Sequence, residues 1–270
     1  MNQKVLVNSE EFKPMIEDPE NGFFQWIKNG YDAIQKGLDT DKVIVVCGRE
    51  RKGKSTLVLR IVHKLNPNFD IENICFKGKQ FRRRSKQIKK DILIIDEGGN
   101  VLYSGDTMAK DSKKTIQRIM EMGHNNNITF ILIPNFFSLN KDIRERRVGG
   151  LIHITNRGRF YTYDEKAAIK IGKKKEWKAA KPSGCGRWNH TNSSLGFEEL
   201  WKSYKKREDH FKNMPDEEDE EDEVVKKIDK PKEIKKEIVF RLYNEGMDIK
   251  KIAKVVGYCR QTVSEWINES

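Results

Sequence analysis

Four residues at fixed spacing, Gly48, Gly53, Lys54 and Ser55, form the pattern G-x-x-x-x-G-K-S. The glycines let the backbone wrap so that its N–H groups point at phosphate oxygens. The lysine reaches the β- and γ-phosphates of a nucleotide, and the serine hydroxyl is a ligand for Mg²⁺. We therefore interpret this segment as a phosphate-binding loop, whose candidate nucleotide-binding residues are Gly48, Arg49, Glu50, Arg51, Lys52, Gly53, Lys54, Ser55 and Thr56.

The sequence on either side of this loop supports the interpretation. Residues 43–47 are an apolar, largely β-branched run that predicts a strand, and residues 55–65 have the apolar spacing of a helix. Strand, loop and helix in this order are what the motif requires. A glycine turn between two elements is the alternative, and it would not need this order.

A pair of carboxylates ends a second apolar run. Residues 91–96 predict a strand that ends in Asp96, and Glu97 follows it directly. An aspartate at this position holds Mg²⁺ in P-loop ATPases, and an adjacent glutamate can polarise the attacking water. An acidic strand end that caps a helix is the alternative. Combined with the loop, the pair predicts a hydrolase that uses ATP and Mg²⁺, with Ser55 and Asp96 as metal ligands and Glu97 as a catalytic residue.

One strand-like segment lies between the two motifs, and this arrangement resembles the additional-strand P-loop ATPases. The resemblance implies a polar sensor at the end of the next strand. Residues 128–133 predict that strand, and Asn135 follows it, so Asn135 is the sensor candidate. An ordinary Pro-Asn turn is the alternative.

Three arginines follow on a helical pattern and are candidate catalytic residues. Arg144, Arg146 or Arg147 could act as an arginine finger toward a neighbouring subunit, since guanidinium suits the spread-out charge of a transferring phosphoryl group. A solvated helix face or a DNA contact is the alternative, and the sequence does not select one arginine.

A narrower resemblance covers residues 43–163, which look like the FtsK–HerA group of motor ATPases. The stretch Pro-Asn-Phe-Phe-Ser-Leu-Asn-Lys-Asp-Ile-Arg-Glu-Arg-Arg and the later Leu-Ile-His-Ile strand are similar to the zonular occludens toxin-like (Zot-like) N-terminal ATPases of filamentous phages and other mobile elements. The resemblance implies a homo-oligomeric ring that acts on DNA.

The order of patterns predicts an α/β fold, a three-layer P-loop NTPase core with a mostly parallel sheet, and a small all-α helix-turn-helix domain. Strands are expected at 43–47, 71–76, 91–96, 128–133 and 151–155, with an edge strand at 160–163; helices are expected at 55–66, 107–123, 139–147 and 197–211. The predicted domains are a lead-in (1–40), the ATPase core (41–170), a basic extension with one helix (171–214), an acidic disordered linker (215–231) and the helix-turn-helix (232–270). The acidic block of this linker, residues 216–223, could instead be a DNA-mimicking tail. Residues 166–190 are basic and poor in aliphatic residues, so we expect them to be a loop or extension.

The C-terminal pattern resembles the helix-turn-helix of resolvase-type and phage regulatory proteins. Two short helices are expected at 248–256 and 260–268, separated by a turn at Gly257. The candidate DNA-binding residues at the start of the second helix are Arg260, Gln261, Thr262 and Ser264. A dimerisation or partner-docking module is the alternative.

Composition is compatible with this reading. The 270-residue chain has a formal net charge of +12, which suits a double-stranded DNA partner, and residues 77–90 form a basic patch that either grips phosphates or is simply solvated. Its four cysteines lack C-x-x-C spacing, and no apolar stretch is long enough to cross a bilayer, so we expect a soluble, cytoplasmic protein. The expected function is DNA translocation or packaging for a virus or plasmid. A loader, transposition or partition helper is one alternative, and a nucleotide-gated transcription regulator is the other.

Overall fold

The computed structural model describes residues 21–96, 98, 102, 110–188, 197–213, 239–256 and 260–268. Glu97, the turn at 257–259 and the acidic block at 216–223 lie outside these residues. The chain divides into two compact units, Met1–Lys212 and Asn213–Ser270. Among the helices that the structure describes, none combines the length and the apolar character that a bilayer-crossing helix needs.

A seven-stranded sheet forms the centre of the first unit, in the order β2-β3-β4-β1-β5-β6-β7. Its strands are β1 (Lys42–Cys47), β2 (Ile74–Cys75), β3 (Ile92–Ile95), β4 (Ile128–Ile133), β5 (Gly150–Asn156), β6 (Arg159–Asp164) and β7 (Gly184–Arg187). The pairs among β1 to β5 are parallel, while β6 and β7 are antiparallel. The mostly parallel sheet predicted from the sequence is therefore confirmed.

Two hydrophobic cores lie on opposite faces of this sheet, because both faces of its central strands are apolar. The helices around it are α1 (Gly22–Gln35), α2 (Lys54–Leu65), α3 (Gly78–Gln87), α4 (Lys110–Glu121), α5 (Lys141–Arg146), α6 (Glu165–Lys174) and α7 (Phe197–Asn213). Buried side chains of α1, α2 and α7 pack in one core, and those of α3, α5 and α6 pack in the other. Along β1, Ile44 faces the first core and Val45 the second. The result is the predicted three-layer α/β architecture.

Two local predictions were wrong. The second strand is only two residues long, because a 3-10 turn over Ile71–Asn73, capped by the Asp70 side chain, takes up the first part of the expected strand. Residues 166–190 were expected to be a loop or extension, but they contain most of α6 and all of β7. Strand β7 has no apolar run to reveal it. Its antiparallel pairing with β6 makes it a strand, and Gly186 gives the Phe160 ring room that a side chain would take.

The second unit is a small helical cluster. A helical segment at 239–244 precedes α8 (Ile249–Val256) and α9 (Arg260–Asn268). Its buried side chains are Val239, Ile252, Ala253, Val263 and Trp266. The two predicted helices at 248–256 and 260–268 are confirmed to within one residue at each end.

Candidate nucleotide site

The phosphate-binding loop connects β1 to α2, as its motif requires. Gly48 has φ +153° and Gly53 has φ +86°, a region that residues with a Cβ rarely adopt. Space is also short at Gly48, where an added Cβ would lie 2.7 Å from the carbonyl oxygen of Ile154. Helix α2 begins at Lys54 with Gly53 as its N-cap, so its first N–H groups face the loop without competition from a capping side chain. This is the geometry of an anion site.

The ammonium of Lys54 lies against the backbone of its own loop. Its Nζ donates to the carbonyl oxygens of Gly48, at 2.9 Å, and Arg49, at 3.3 Å. A fixed positive charge therefore stands beside the N–H groups that the loop offers to a phosphate.

Asp96 lies across the cleft from the loop, at the carboxyl end of β3. The hydroxyl of Ser55 donates to its Oδ2 at 2.9 Å. The backbone N–H of Asp96 donates to the carbonyl of Cys75 at 2.9 Å, which fixes the residue at the sheet edge. The sequence predicts that Ser55 and Asp96 bind one metal, and the structure brings their side chains together.

These two side chains fit Mg²⁺, which takes hard oxygen ligands and usually keeps several waters. A hydroxyl and a carboxylate at hydrogen-bonding distance, both lining the same cleft, supply two such oxygens. When bound, Mg²⁺ would neutralise charge on the phosphates of the nucleotide.

Tyr204 makes a third contact at this point that sequence analysis missed. Its hydroxyl donates to the same Oδ2 of Asp96 at 2.7 Å, across 108 residues of sequence. Burial, followed by the neighbouring Asp96 charge, raises the pKa of Tyr204 far above its ordinary value. The phenol therefore stays protonated and acts as a hydrogen-bond donor throughout the physiological range.

An open cleft of about 800 Å³ surrounds these groups. Besides the loop and Asp96, it is lined by Leu132, Pro134, Arg157 and residues of α7. Five of the lining side chains are basic and three are acidic, so the cleft has a positive excess that suits a polyphosphate. Arg157 lies in the turn between β5 and β6; its position was foreseeable, because β5 is parallel to β1 and both carboxyl ends meet at one sheet edge.

Helix α7 forms one wall of the cleft. Trp201, Tyr204, Lys205, Glu208 and Lys212 of this helix all line it. Burial raises the pKa of Glu208, but hydrogen bonds from Lys205 at 2.5 Å and Lys212 at 2.6 Å outweigh burial, and the pKa lies below its ordinary value. Glu208 is therefore an ionised carboxylate that anchors two ammonium groups at the rim. The aromatic spacing of α7 predicts a buried face, but it does not reveal which surface that face covers.

The remaining loop residues differ in exposure. Glu50, Arg51 and the largely buried Thr56 line the cleft, whereas Arg49 and Lys52 are not among the lining residues. Asn135 is exposed, and its side chain accepts from the N–H of Phe137 at 3.1 Å, so it caps the short turn after β4. Its role as a sensor stays a prediction, as does the role of Glu97.

The three candidate finger arginines have different surroundings. Arg144 is only 2% exposed, and its guanidinium donates to the backbone carbonyls of Phe137, Leu139 and Gly172 at 2.9–3.1 Å. This is the environment of a structural arginine, because these three carbonyls, two of which are buried, depend on it for a donor.

The other two arginines differ from Arg144 and from each other. Arg147 forms an ion pair with Asp41 and donates to the carbonyl of Ile119 at 3.0 Å. The side chain of Arg146 is 73% exposed, and it forms a 3.7 Å ion pair with Asp142. Of the three, Arg146 has the guanidinium that a second subunit could meet.

Candidate DNA contacts lie on each of the two units. On α9, Arg260 and Gln261 are exposed, and Thr262 and Ser264 are partly exposed. In the basic patch, Arg82 and Arg84 are occupied by internal contacts to Thr115 and Asn73. The exposed cations of that patch are Lys79, Arg83, Lys86, Lys89 and Lys90.

The glycine loop between a strand and a helix, with an aspartate at the end of a parallel strand in this sheet order, defines the P-loop NTPase fold. No protein-family model matches the sequence, and no curated protein does.

Solved structures similar to this chain include the genome packaging NTPase B204 from Sulfolobus turreted icosahedral virus 2 in complex with AMPPCP, at 12% identity over 47% of this chain and 94% of that chain, with a TM-score of 0.35. The N-terminal domain of zonular occludens toxin from Neisseria meningitidis is similar at 15% identity over 50% of this chain and 91% of that chain, with a TM-score of 0.34.

Proposed function

We propose that this chain is a Mg²⁺-dependent P-loop ATPase of the FtsK–HerA group, similar to Zot-like ATPases, that translocates or packages the double-stranded DNA of a mobile element. The hydrogen bond between Ser55 and Asp96 is the observation that carries the nucleotide part. The Ser55 hydroxyl and the Asp96 carboxylate are close enough together for one cation to bind both.

The roles of the residues follow from their positions. Lys54 and the N–H groups at the start of α2 hold the phosphates, and Ser55 and Asp96 hold the metal. Glu97 directly follows Asp96 in sequence and acts as the base that orients the attacking water. A nucleotide switch that never hydrolyses would not need this glutamate.

The net positive charge of the chain and the helices of the second unit support DNA binding. The chain has a net charge of +12, and the exposed cations on α3 provide a sequence-independent phosphate contact. Helices α8 and α9 form the helix-turn-helix, in which Arg260, Gln261, Thr262 and Ser264 face the major groove.

Assembly into a ring completes the proposal. Arg146 is exposed on α5, and it serves as the finger that reaches the nucleotide of the next subunit. A monomer would leave this guanidinium without a catalytic role.

The test is ATP turnover by the purified full-length chain with Mg²⁺, with and without duplex DNA, together with the particle mass by light scattering. We expect turnover that DNA stimulates and a mass above that of the 31.6 kDa monomer. ATP binding without turnover in either condition would contradict the enzyme and favour a nucleotide-gated regulator. Turnover that DNA leaves unchanged would contradict the translocase.

A further inference from the structure

Helix α7 contacts the metal-binding side of the cleft through Tyr204. We propose that Tyr204 is a positioning residue for Mg²⁺: its hydroxyl holds the carboxylate of Asp96 in the orientation that the metal requires. The inference rests on the proposed nucleotide site and assigns to it a residue from outside the glycine loop and the strand.

The geometry at Asp96 supports this role. The hydroxyls of Tyr204 and Ser55 donate to the same oxygen, Oδ2, at 2.7 and 2.9 Å. Asp96 is 5% exposed and Tyr204 is 2% exposed, so water does not easily replace either bond. Hydrogen-bond partners of metal ligands fix the direction of the ligand's lone pairs, and their loss weakens metal binding although the ligands remain.

The docking of α7 does not depend on this hydroxyl. Farther along the helix, Arg207 forms an ion pair with Glu72 and donates to the carbonyl of Ile74 at 3.3 Å. The rings of Phe211 and Phe76 stack at 5.4 Å between centroids. The Tyr204 ring itself packs 5.3 Å from the Trp201 ring. A phenylalanine at position 204 keeps this ring and loses only the donor, so Tyr204→Phe separates positioning from packing.

The experiment measures the affinity of the full-length chain for fluorescent N-methylanthraniloyl-ATP, once in excess Mg²⁺ and once in EDTA. For Tyr204→Phe we expect the affinity in Mg²⁺ to fall about 10-fold or more, while the affinity in EDTA stays at the wild-type value. The concentration of Mg²⁺ that gives half-maximal ATP turnover should rise in parallel. Asp96→Asn should abolish most of the Mg²⁺ effect, and adding Tyr204→Phe to it should cause little further loss, because both act through one carboxylate.

Tyr31→Phe is the matched control. Tyr31 lies on α1, and Asp91 is a charged neighbour of its hydroxyl. Asp91 directly precedes β3, whereas Asp96 follows the other end of that strand. This variant should bind the nucleotide like the wild type in both conditions.

The outcomes are distinct. Equal losses with and without Mg²⁺ would overturn the inference, since they mark a structural hydroxyl, and so would no loss in either condition. Full additivity with Asp96→Asn would also overturn it. A wild-type chain that binds no nucleotide would overturn the proposed function and this inference together, whereas a wild-type chain that binds in a Mg²⁺-dependent way upholds the site whatever Tyr204→Phe does.

Discussion

The Oγ of Ser55 lies 2.9 Å from Oδ2 of Asp96, although the two residues are 41 positions apart. Ser55 lies at the start of α2, which follows β1, and Asp96 follows β3. These two strands are not neighbours, because β4 lies between them in the sheet. The contact therefore depends on three parallel strands in correct register, and it brings the loop and the carboxylate together. Preorganised charge of this kind costs little reorganisation during the reaction.

The first prediction concerns Lys54. Lys54→Ala removes the ammonium that lies over the loop, so we expect ATP turnover to fall about 10²-fold or more and nucleotide affinity to fall as well. Lys64→Ala is the control, because it removes an exposed cation from the far end of α2 that does not line the cleft, and it should remain close to wild type. Steady-state turnover of both variants checks this, and normal turnover by Lys54→Ala would refute the enzyme assignment.

The second prediction concerns Glu97. The amide of Glu97→Gln cannot accept a proton from water, while Asp96 still supports the metal, so the variant should bind ATP normally and lose turnover by roughly 10²–10⁴-fold. Equilibrium binding and single-turnover hydrolysis measure the two effects separately. If hydrolysis persists at the wild-type rate, another residue is the base.

The third prediction separates the arginines of α5. Arg146→Ala should fold and bind ATP but lose turnover by about 10³-fold or more, as expected for an arginine finger. Arg144→Ala should instead lower the free energy of unfolding by roughly 2–4 kcal/mol, because it leaves buried carbonyls unpaired. Urea melts and turnover assays distinguish the two variants.

Mixing tests whether Arg146 acts between subunits. Combining Arg146→Ala with Lys54→Ala should restore part of the turnover, since some interfaces then have an intact Lys54 on one subunit and an intact Arg146 on the other. No recovery in demonstrated mixed assemblies would exclude a finger acting in trans.

The fourth prediction is a pH dependence of stability. The His153 ring stacks on Trp177, with ring centroids 3.8 Å apart, and burial lowers the pKa of His153 below its ordinary value of 6.5. Between the folded and unfolded pKa values the unfolded chain binds more protons, so this contribution to stability is complete above pH 6.5 and is lost as the pH falls below it.

His153→Phe keeps an aromatic ring and removes the titration, so its free energy of unfolding should vary less with pH than that of the wild type from about pH 5 to 7. Urea melts across this range measure the effect, with His124→Gln as a control at an exposed histidine. Identical pH profiles for His153→Phe and wild type would contradict the assignment.

The fold and the centre of the site could be predicted because their signals are local. The run at 43–47, the glycine spacing and Asp96 at a strand end each lie within a few residues, and the parallel sheet brings them together. Strand β7 was missed because its residues, Gly-Cys-Gly-Arg, have no apolar alternation, and only its partner β6 makes it a strand.

The rest of the site depends on contacts that no local pattern encodes. Tyr204 is 108 residues from Asp96 in sequence. The spacing of the aromatic residues in α7 would suit any apolar surface equally well. Arg144 and Arg146 are both arginines on the same short helix. The guanidinium of Arg144 donates to backbone carbonyls, whereas the side chain of Arg146 is exposed. Such a difference is set by tertiary packing, because burial of a guanidinium is tolerated only where acceptors surround it.

The last prediction concerns DNA binding by the second unit. Arg260 and Gln261 are exposed at the start of α9, where recognition helices meet base edges, so replacing both with alanine should weaken binding to duplex DNA by about 1–3 kcal/mol for each well-formed base contact. Arg241→Ala is the control, because Arg241 is a highly exposed cation of the same unit on the preceding helical segment and is paired with Glu245. Anisotropy titrations of the full-length variants across salt concentrations measure the effect, and wild-type affinity should fall steeply with salt because phosphates supply most of the binding energy. If the double variant binds duplex DNA as tightly as the wild type at every salt concentration, the helical unit docks a protein partner instead.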